Sequence, residues 1–501
     1  MTARDVNYEH RDPVTWSLKG RNTATDAWTV LHSISQAPVP TARKATVGPY
    51  TIAPSGATTC VDCTAGTYSE TAGASTSCSS CPSHSTSPSG STNSIACKCN
   101  AGSSGPDGGP CTSMFTVVDI SSTMSFDKKY VGGVPGPDGL IYFVPFNADN
   151  IGIFDPASSS FSTLDISNII SSNYKYRGGV LGPNGRIYFI PDQAHNVGIF
   201  DPASSSFSTL DISNIISSGE KFSFGVLGPN GRIYFVPHTA DSIGILDPAS
   251  LSFSTLDISH IISLDGKYYG GVLGPNGLIY FVPLNADNVG ILDPASSSFS
   301  TLDISSTISS DGKYRGGVLG PNGLIYFVPF DADNIGLLDT SSPSFSTIDI
   351  SSTISSNGKY NGGVVGPNGL IYFVPYYADN IGVLDPSSSS FSTIDISSTI
   401  SSYRKYIGGV LGSNGLVYFV PFDADNFGEL DVHAVECYSG YTGGSLPCTW
   451  GGTGGCKFFS DADYFLQRTG SCPDQGGQLR INKRNIKGLR EDVFDDMGAL
   501  E

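Results

Sequence analysis

The chain has few charged residues, no long apolar run, and no cysteine in the 325 residues from 112 to 436. Only 14% of its residues are charged and the formal net charge is −18, which argues against a nucleic-acid partner because phosphates are bound by basic surfaces. A membrane-spanning helix needs about 18 consecutive apolar residues, so no segment is expected to cross a membrane. The first thirty residues also lack the layout of a secretion signal.

The eleven cysteines are nevertheless distributed as in extracellular proteins. They form two clusters, which is typical of small disulfide-stapled modules, and their pairing is left open. We therefore expect an extracellular or cell-surface protein of which this chain is one part, with any signal or anchor outside it. The candidate disulfide residues are Cys60, Cys63, Cys78, Cys81, Cys97, Cys99, Cys111, Cys437, Cys448, Cys456 and Cys472.

Glycine, proline and serine are abundant, and they punctuate a repeat. The stretch KYRGGVLGPNGLIYFVPFDADNIGLLD (313–339) has seven versions in the chain, each 46 residues after the last, without insertion or deletion. Each copy contains four short apolar runs separated by turn sequences such as GPNG and DPASSS, which indicates four β-strands. A repeat of this length with four strands is typical of a propeller blade. The expected fold is therefore mainly β, a seven-bladed β-propeller with small disulfide-rich flanking modules.

The two ends of the repeat region predict a closed ring. FTVVDIS (115–121) precedes the first copy and matches the fourth-strand sequence FSTLDIS, whereas the seventh copy reaches only its third strand, NFGELDV (426–432). The early strand would then complete the last blade, which removes the unpaired edge that an open array would have to cap.

Differences between the copies collect on one face of the predicted ring, the top face, which carries the loop between the second and third strands and the link to the next blade. Two positions per blade vary freely. The first, on the inner strand, holds Val131, Arg177, Ser223, Tyr269, Arg315, Asn361 and Ile407. The second, after the second-strand proline, holds Phe146, Asp192, His238, Leu284, Phe330, Tyr376 and Phe422. This variation indicates either drift in exposed loops or a binding face tuned blade by blade, with Arg177, Tyr269, Arg315 and Asn361 as candidate ligand-binding residues.

One top-face position does not vary, because a lysine occupies it in every copy. Seven ammonium groups at the channel entrance would attract anions, so we consider an anion or sugar site with a basic, aromatic rim. The alternative is that each lysine pairs with a nearby aspartate and that the tyrosine after it packs between blades. The lysines are Lys129, Lys175, Lys221, Lys267, Lys313, Lys359 and Lys405.

The acidic loops offer a possible Ca²⁺ site. DADN occurs at 331–334 and 423–426, so Asp331, Asp333, Asp423 and Asp425 could present carboxylate oxygens to a cation. These residue types are also ordinary turn formers, and the twelve-residue calcium loop is absent. No other cofactor is expected.

The blades resemble those of the streptogramin lyase family, whose repeats also carry GPDG, an aromatic second strand and NRIGRID. That resemblance covers about 115–433 and implies a seven-bladed propeller; those lyases use a His/Glu pair with Mg²⁺. The candidate catalytic residues by that comparison are His195, His238 and His260. Glu220 and Glu429 are the only glutamates of the ring and neither is an evident partner, so no catalysis is expected.

Flanking segments resemble pieces of other extracellular modules. Residues 1–53 contain RDPVTWSLKGRNTATDAWTVLHSIS, which resembles the end of a discoidin-like jelly roll; 54–112 resembles the cysteine-rich repeats of ephrin and tumour-necrosis-factor receptors. The propeller is predicted at 113–434 and a cysteine-containing linker at 435–474. Residues 475–501 resemble the start of a leucine-rich repeat.

Together these features predict a non-catalytic extracellular protein that recognises a glycan or a protein through the top face of the propeller. The alternatives are a lyase-like, divalent-metal-dependent propeller enzyme and a structural spacer. The company of modules supports adhesion only by analogy.

Overall fold

A computed structural model of the chain describes residues 15–20, 29–35, 63–70, 78–99, 103–105, 107–432, 457–460 and 464–467. The chain divides into two compact units, a small one that extends to Lys98 and takes in 107–110, and a large one that contains the propeller. Helix in the described parts is limited to one 3-10 turn at Ser94–Ala96. Within those parts no helix has the length and apolarity needed to cross a bilayer.

The propeller consists of seven four-stranded antiparallel sheets, as the repeat predicts, with consecutive strands hydrogen-bonded in order. The inner strands are Tyr130–Pro135, Tyr176–Leu181, Phe222–Leu227, Tyr268–Leu273, Tyr314–Leu319, Tyr360–Val365 and Tyr406–Leu411. The second strands are Ile141–Pro145, Ile187–Pro191, Ile233–Pro237, Ile279–Pro283, Ile325–Pro329, Ile371–Pro375 and Val417–Pro421. The third strands are Asn150–Asp155, Asn196–Asp201, Ser242–Asp247, Asn288–Asp293, Asn334–Asp339, Asn380–Asp385 and Asn426–Leu430. The outer strands are Ser160–Asp165, Ser206–Asp211, Ser252–Asp257, Ser298–Asp303, Ser344–Asp349, Ser390–Asp395 and, in blade 7, Phe115–Asp119.

The ring is closed by the strand that precedes the repeats. Phe115–Asp119 pairs antiparallel with Asn426–Leu430, from Asn426 opposite Asp119 to Leu430 opposite Phe115. The aromatic ring of Phe115 lies 6.1 Å from that of Phe419 on the second strand of the same blade. The predicted closure is therefore confirmed, and blade 7 is built from both ends of the propeller sequence.

The second strand of every blade is buried along its whole length because it is covered by the neighbouring blades on both sides. Each interface has its own apolar core. Between blades 2 and 3, for example, Val180, Tyr188 and Ile190 pack with Phe222 and Phe235. Burial of apolar area on both faces is the main stabilising contribution in such a stack.

Glycine lets the inner strands approach the axis. Gly270 has φ +95°, and a Cβ atom there would lie 3.0 Å from the Cα of Gly316 in the next blade. The same contact recurs from Gly316 to Gly362 and from Gly408 to Gly132. A side chain at these positions would push neighbouring blades apart, so the Gly-Gly pair sets the width of the channel.

The cysteine-rich segment contains three disulfides, Cys63–Cys78, Cys81–Cys97 and Cys99–Cys111. Cys60 and the four cysteines from Cys437 to Cys472 lie outside the described residues. The short strands of the cysteine-rich segment are Thr67–Tyr68, Ser79–Ser80, Ser85–Thr86, Lys98–Cys99, Ser103–Ser104 and Thr112–Ser113.

Two further hairpins are formed elsewhere in the sequence. Thr15–Gly20 pairs with Thr29–Ser35, and Lys457–Ser460 pairs with Tyr464–Gln467. The discoidin-like and receptor-like modules and the five domain boundaries stay predictions. The segment that resembles a leucine-rich repeat, 475–501, lies outside the described part of the chain.

Candidate functional site

The residues that vary from blade to blade on the top face converge on the end of the channel. We call the two variable positions of the seven blades, fourteen residues in all, the channel mouth. The interpretation of these positions as exposed loops was wrong, because Val131, Ser223, Asn361 and Asp192 are almost completely buried and only Arg177 and Arg315 keep partial exposure. An irregularity in the inner strand between Tyr130 and Gly133 recurs in every blade at this position. The residues that differ between blades therefore line the mouth of the channel.

The fourteen residues divide into a polar and an apolar sector. The apolar sector consists of Val131, Phe146, Phe330, Tyr376, Ile407 and Phe422, which form one buried cluster over blades 1, 5, 6 and 7. The polar sector lies on blades 2 to 6 and includes Arg177, Asp192, His238, Tyr269, Arg315 and Asn361. The mouth thus lacks the sevenfold symmetry of the scaffold.

Asp192 and Arg177 form an ion pair in the polar sector. The Nη2 atom of Arg177 lies 3.2 Å from Oδ2 of Asp192, whose side chain is fully buried. Burial raises the pKa of Asp192 to about 6, while Arg177 opposes the rise and Glu220 adds to it. The carboxylate is therefore desolvated and only partly compensated, a condition that favours a further hydrogen-bond donor beside it.

His238 occupies the position of Asp192 in the next blade. Burial, together with the neighbouring Arg177 and Arg315 guanidinium groups, lowers the pKa of its imidazole to about 3. The imidazole is neutral at physiological pH. Its ring packs edge-on against Tyr269 with the centroids 6.1 Å apart.

Tyr269 is the hub of this sector, since two guanidinium groups lie over its ring. The Cζ of Arg315 is 5.0 Å from the ring centroid of Tyr269 and 3.6 Å from that of Phe330. The Cζ of Arg177 is 5.7 Å from Tyr269 and 5.6 Å from Phe146. Cation–π contacts hold both arginines in place, so their donors are oriented before any ligand arrives.

Four polar atoms of the mouth are buried and have no hydrogen-bond partner in the protein: Oδ1 of Asp192, Nδ1 of His238, Nε of Arg315 and Nδ2 of Asn361. All four belong to residues at the two variable positions. Leaving one such group unsatisfied costs about 1–3 kcal/mol. Asn361 and Phe224 also line the channel, a space of about 180 Å³ that is otherwise walled by the inner-strand glycines.

The seven lysines are placed differently from the exposed rim that the sequence suggested. Their side chains are buried between blades, and six of them pair with a half-exposed aspartate of the preceding blade. Lys175, for example, lies 3.0 Å from Oδ1 of Asp149 and donates to the carbonyl oxygen of Ala148. These side chains therefore clasp adjacent blades together, which is the alternative stated above, and they offer no basic surface to a ligand.

Lys221 is the exception among the seven. Its preceding blade carries His195 where the others carry aspartate, and its Nζ donates only to the carbonyl oxygen of Asp192, at 3.2 Å. Burial lowers the pKa of Lys221 to about 8, although Asp192 opposes the shift. Symmetry is thus broken on the same two blades that carry Arg177, Asp192 and His238.

The proposed calcium residues are engaged with the protein. Asp423 accepts from the backbone N–H of Lys128 and pairs with Arg404, and Asp331 accepts from the N–H of Gly358. The other two pair with blade-clasping lysines, Asp333 with Lys359 and Asp425 with Lys129. Among the described residues no three His, Cys, Asp or Glu side chains are grouped to hold a metal ion.

The structure separates the candidate histidines. His195 and His260 are exposed, and only His238 lies in the mouth. Asp192 was missing from the candidate residues, although the sequence held a signal for it: it is the one acidic residue at a position that is apolar in most copies. Phe330, which contacts Arg315, and Phe224, which contacts Tyr269, were also missed.

No protein-family model matches the sequence, and no curated protein resembles it significantly. Solved propellers do. A streptogramin B lyase is 18% identical with a TM-score of 0.52, over 63% of this chain and 97% of that one. The extracellular domain of the BT4673 one-component system from B. thetaiotaomicron is 11% identical with a TM-score of 0.50, over 63% and 42%. YCF48 bound to D1 peptide is 9% identical with a TM-score of 0.51, over 65% and 98%. At these identities the similarity establishes the seven-bladed propeller fold alone.

Proposed function

We propose that this propeller is a non-catalytic extracellular binding module that recognises a glycan or protein ligand through the polar sector of the channel mouth. The observation that carries the proposal is the set of four buried, unpartnered polar atoms on Asp192, His238, Arg315 and Asn361. Proteins rarely keep such atoms without use, because each lowers stability. A ligand that enters the mouth would satisfy them.

The four atoms define what the ligand must present. Arg315 and Asn361 supply N–H donors, and the Asp192 carboxylate supplies an acceptor. Groups that both donate and accept, such as hydroxyls or peptide amides, match this set, and Tyr269 adds an aromatic face beside it. The mouth is therefore suited to recognition by hydrogen bonds, with the apolar sector as a rigid wall.

Two observations support a location outside the cell. The described cysteines form three disulfides, which persist in oxidising compartments. Among the similar propellers is the extracellular domain of a bacterial signalling system. Another is described with a bound peptide, which is consistent with a binding role for this type of scaffold.

The proposal can be tested with near-isosteric changes in the full chain. We expect Asp192→Asn and Asn361→Asp each to weaken the strongest binder found on a glycan array or an array of extracellular protein domains. One buried polar contact of this kind is worth about 1–3 kcal/mol, so a loss of roughly tenfold is expected per substitution. Asn184→Asp in a turn on the opposite face is the matched control.

Binding that is indifferent to both mouth substitutions would overturn the proposal. Divalent-metal-dependent turnover of a bound compound, abolished by His238→Ala, would favour the enzyme alternative. Absence of any binder, with the top face tolerant of substitution, would favour the spacer.

A further inference from the structure

Two tyrosines on the top face break the repeat at positions where no other blade has an aromatic residue. Tyr377 follows the loop position of the mouth in blade 6, and Tyr403 lies in the link to blade 7. At the position of Tyr377 the other blades have Asn147, Gln193, Thr239, Asn285, Asp331 and Asp423. At the position of Tyr403 they have Asp127, Asn173, Gly219, Asp265, Asp311 and Asn357. Both substitutions occur at one blade junction, so they place two rings together.

The two rings are stacked. Their centroids are 4.2 Å apart and their planes differ by 23°. Tyr377 in turn packs against Tyr376 of the apolar sector, with centroids 4.6 Å apart. Tyr376 is 7% exposed, whereas Tyr403 is 68% exposed. The three rings therefore form a ladder that leads from the buried mouth to a flat aromatic face in solvent, which we call the tyrosine platform.

Backbone geometry holds the platform in place. Tyr377 lies directly over Gly358, where a Cβ atom would fall 2.2 Å from its Cδ2 atom. Gly358 also has φ +65°, in the left-handed region that favours glycine. The ring of Tyr377 can occupy this place only because residue 358 has no side chain.

Residues close to the platform in sequence form two ion pairs. Asp379, two residues after Tyr377, pairs with Lys405 at 2.9 Å and keeps a 60% exposed side chain. Arg404, next to Tyr403, pairs with Asp423 at 2.7 Å. Both positive charges are compensated by a carboxylate, so the surroundings favour a neutral, hydroxyl-bearing ligand over an anion.

We propose that Tyr403 and Tyr377 form a stacking subsite for a neutral pyranose. The C–H face of a sugar ring matches an exposed phenol ring in size and polarity, and its hydroxyl groups can donate to the carboxylate of Asp379. A single exposed ring bordered by charges is too small and too polar to serve as a lipid or helix-docking surface, which needs a contiguous apolar patch of several hundred Å². The inference rests on the proposed binding role of the top face but uses none of the four mouth residues.

The test uses the full chain and three neutral disaccharides, maltose, cellobiose and lactose, measured by saturation-transfer NMR and titration. We expect at least one to bind, and we expect Tyr403→Ala to weaken it at least about fivefold, as for other aromatic anchors. Tyr403→Phe keeps the stacking face and should retain affinity within about twofold. Asn357→Ala, at the equivalent position of the preceding junction, is the matched control and should change nothing.

Gly358→Ala provides a second arm that leaves the tyrosines in the sequence but displaces Tyr377. It should weaken the sugar as Tyr403→Ala does, whereas Gly312→Ala, which meets Asp331 instead of an aromatic ring, should not. Lack of binding by all three disaccharides, or equal binding by wild type and Tyr403→Ala, would overturn the platform. Binding lost only in Asn361→Asp would overturn it as well, while leaving the proposed function intact.

Discussion

The Nζ of Lys221 lies 3.2 Å from the carbonyl oxygen of Asp192 and, among the described residues, forms no ion pair with a carboxylate. In the six other blade junctions the same ammonium group pairs with an aspartate of the preceding blade. The junction between blades 2 and 3 therefore holds a buried positive charge whose partner has been exchanged for His195. This junction also carries the ion pair and the neutral imidazole of the channel mouth.

Restoring the missing carboxylate should stabilise this junction. We expect His195→Asp to raise the free energy of unfolding by about 1 kcal/mol at pH 7, a value discounted for the half-exposed position of the equivalent aspartates. Urea unfolding measures the change. The reverse exchange at another junction, Asp287→His beside Lys313, should lower stability by a similar amount. Equal stability of both variants and wild type would show that these ion pairs contribute nothing.

Asp192 and His238 should give opposite dependences of stability on pH. The folded protein holds a proton on Asp192 up to about pH 6, whereas the unfolded chain loses it near pH 3.8, so stability falls as the pH rises through this window. For His238 the unfolded chain is protonated below pH 6.5 and the folded protein only below about pH 3, so stability falls as the pH is lowered. In wild type the two effects partly cancel.

Single substitutions should therefore separate the two effects. Asp192→Asn should leave a protein that is destabilised by on the order of 1–3 kcal/mol as the pH falls from 6.5 to 4. His238→Phe should be destabilised when the pH rises from 4 to 6. The double variant is the control, with a flatter profile than either. Parallel profiles for all four proteins between pH 4 and pH 7 would contradict the assignment.

Blade 3 lacks a hydrogen bond that recurs in the other six blades, because both of its partners are replaced there. This blade is therefore suited to a double-mutant cycle. In six blades the inner-strand tyrosine donates its hydroxyl to an asparagine twenty residues later, as Tyr130 does to Asn150 at 2.5 Å. In blade 3 both partners are exchanged, for Phe222 and Ser242. Phe222→Tyr alone should cost about 1–3 kcal/mol because its buried hydroxyl lacks the amide acceptor.

Adding Ser242→Asn should recover most of that loss, which gives a coupling energy of at least about 1 kcal/mol between the two sites. Chemical unfolding of the four proteins measures it. Simple additivity of the two substitutions would mean that the pair is accidental.

The closing strand should be the most sensitive outer strand of the ring. Phe115→Ala should lower the free energy of unfolding by about 3–5 kcal/mol, since the ring is buried against Phe419 and a cavity would remain. Hydrogen exchange should then accelerate at residues 426–430. Phe161→Ala, at the matching position of blade 1, is partly exposed and should cost less. A smaller effect of Phe115→Ala than of Phe161→Ala would contradict this expectation.

The closed ring could be predicted from the sequence because each of the four strands of a blade has its own recognisable sequence pattern. FTVVDIS repeats the outer-strand pattern, and the seventh copy lacks one, so pairing of Phe115–Asp119 with Asn426–Leu430 followed from counting. Turn sequences such as GPNG marked the ends of the strands in the same way. Short sequence patterns were therefore sufficient to predict the strands, the turns and the closure of the ring.

Side-chain placement at the mouth could not be predicted in that way. The irregularity between Tyr130 and Gly133 interrupts strict alternation, so the sequence does not reveal that residue 131 and its equivalents are buried at the channel mouth. In six of the seven links the lysine pairs with an aspartate of the preceding blade, and a partner such as Asp379, 26 residues before Lys405, is not evident from spacing alone. The placement of both groups of side chains depends on burial by residues that are distant in the sequence.

The strand that closes the ring is synthesised first but pairs last, so the ring can close only after the whole propeller has been translated. More than 300 residues separate Phe115 from Leu430, so at 5–20 residues per second the opening strand waits about 15–60 s for its partner to leave the ribosome. During that interval each completed blade exposes one unfilled flank, and a chaperone or a neighbouring nascent chain can occupy it. Synthesis of the last strand, Asn426–Leu430, allows the ring to close and ends this period of exposure.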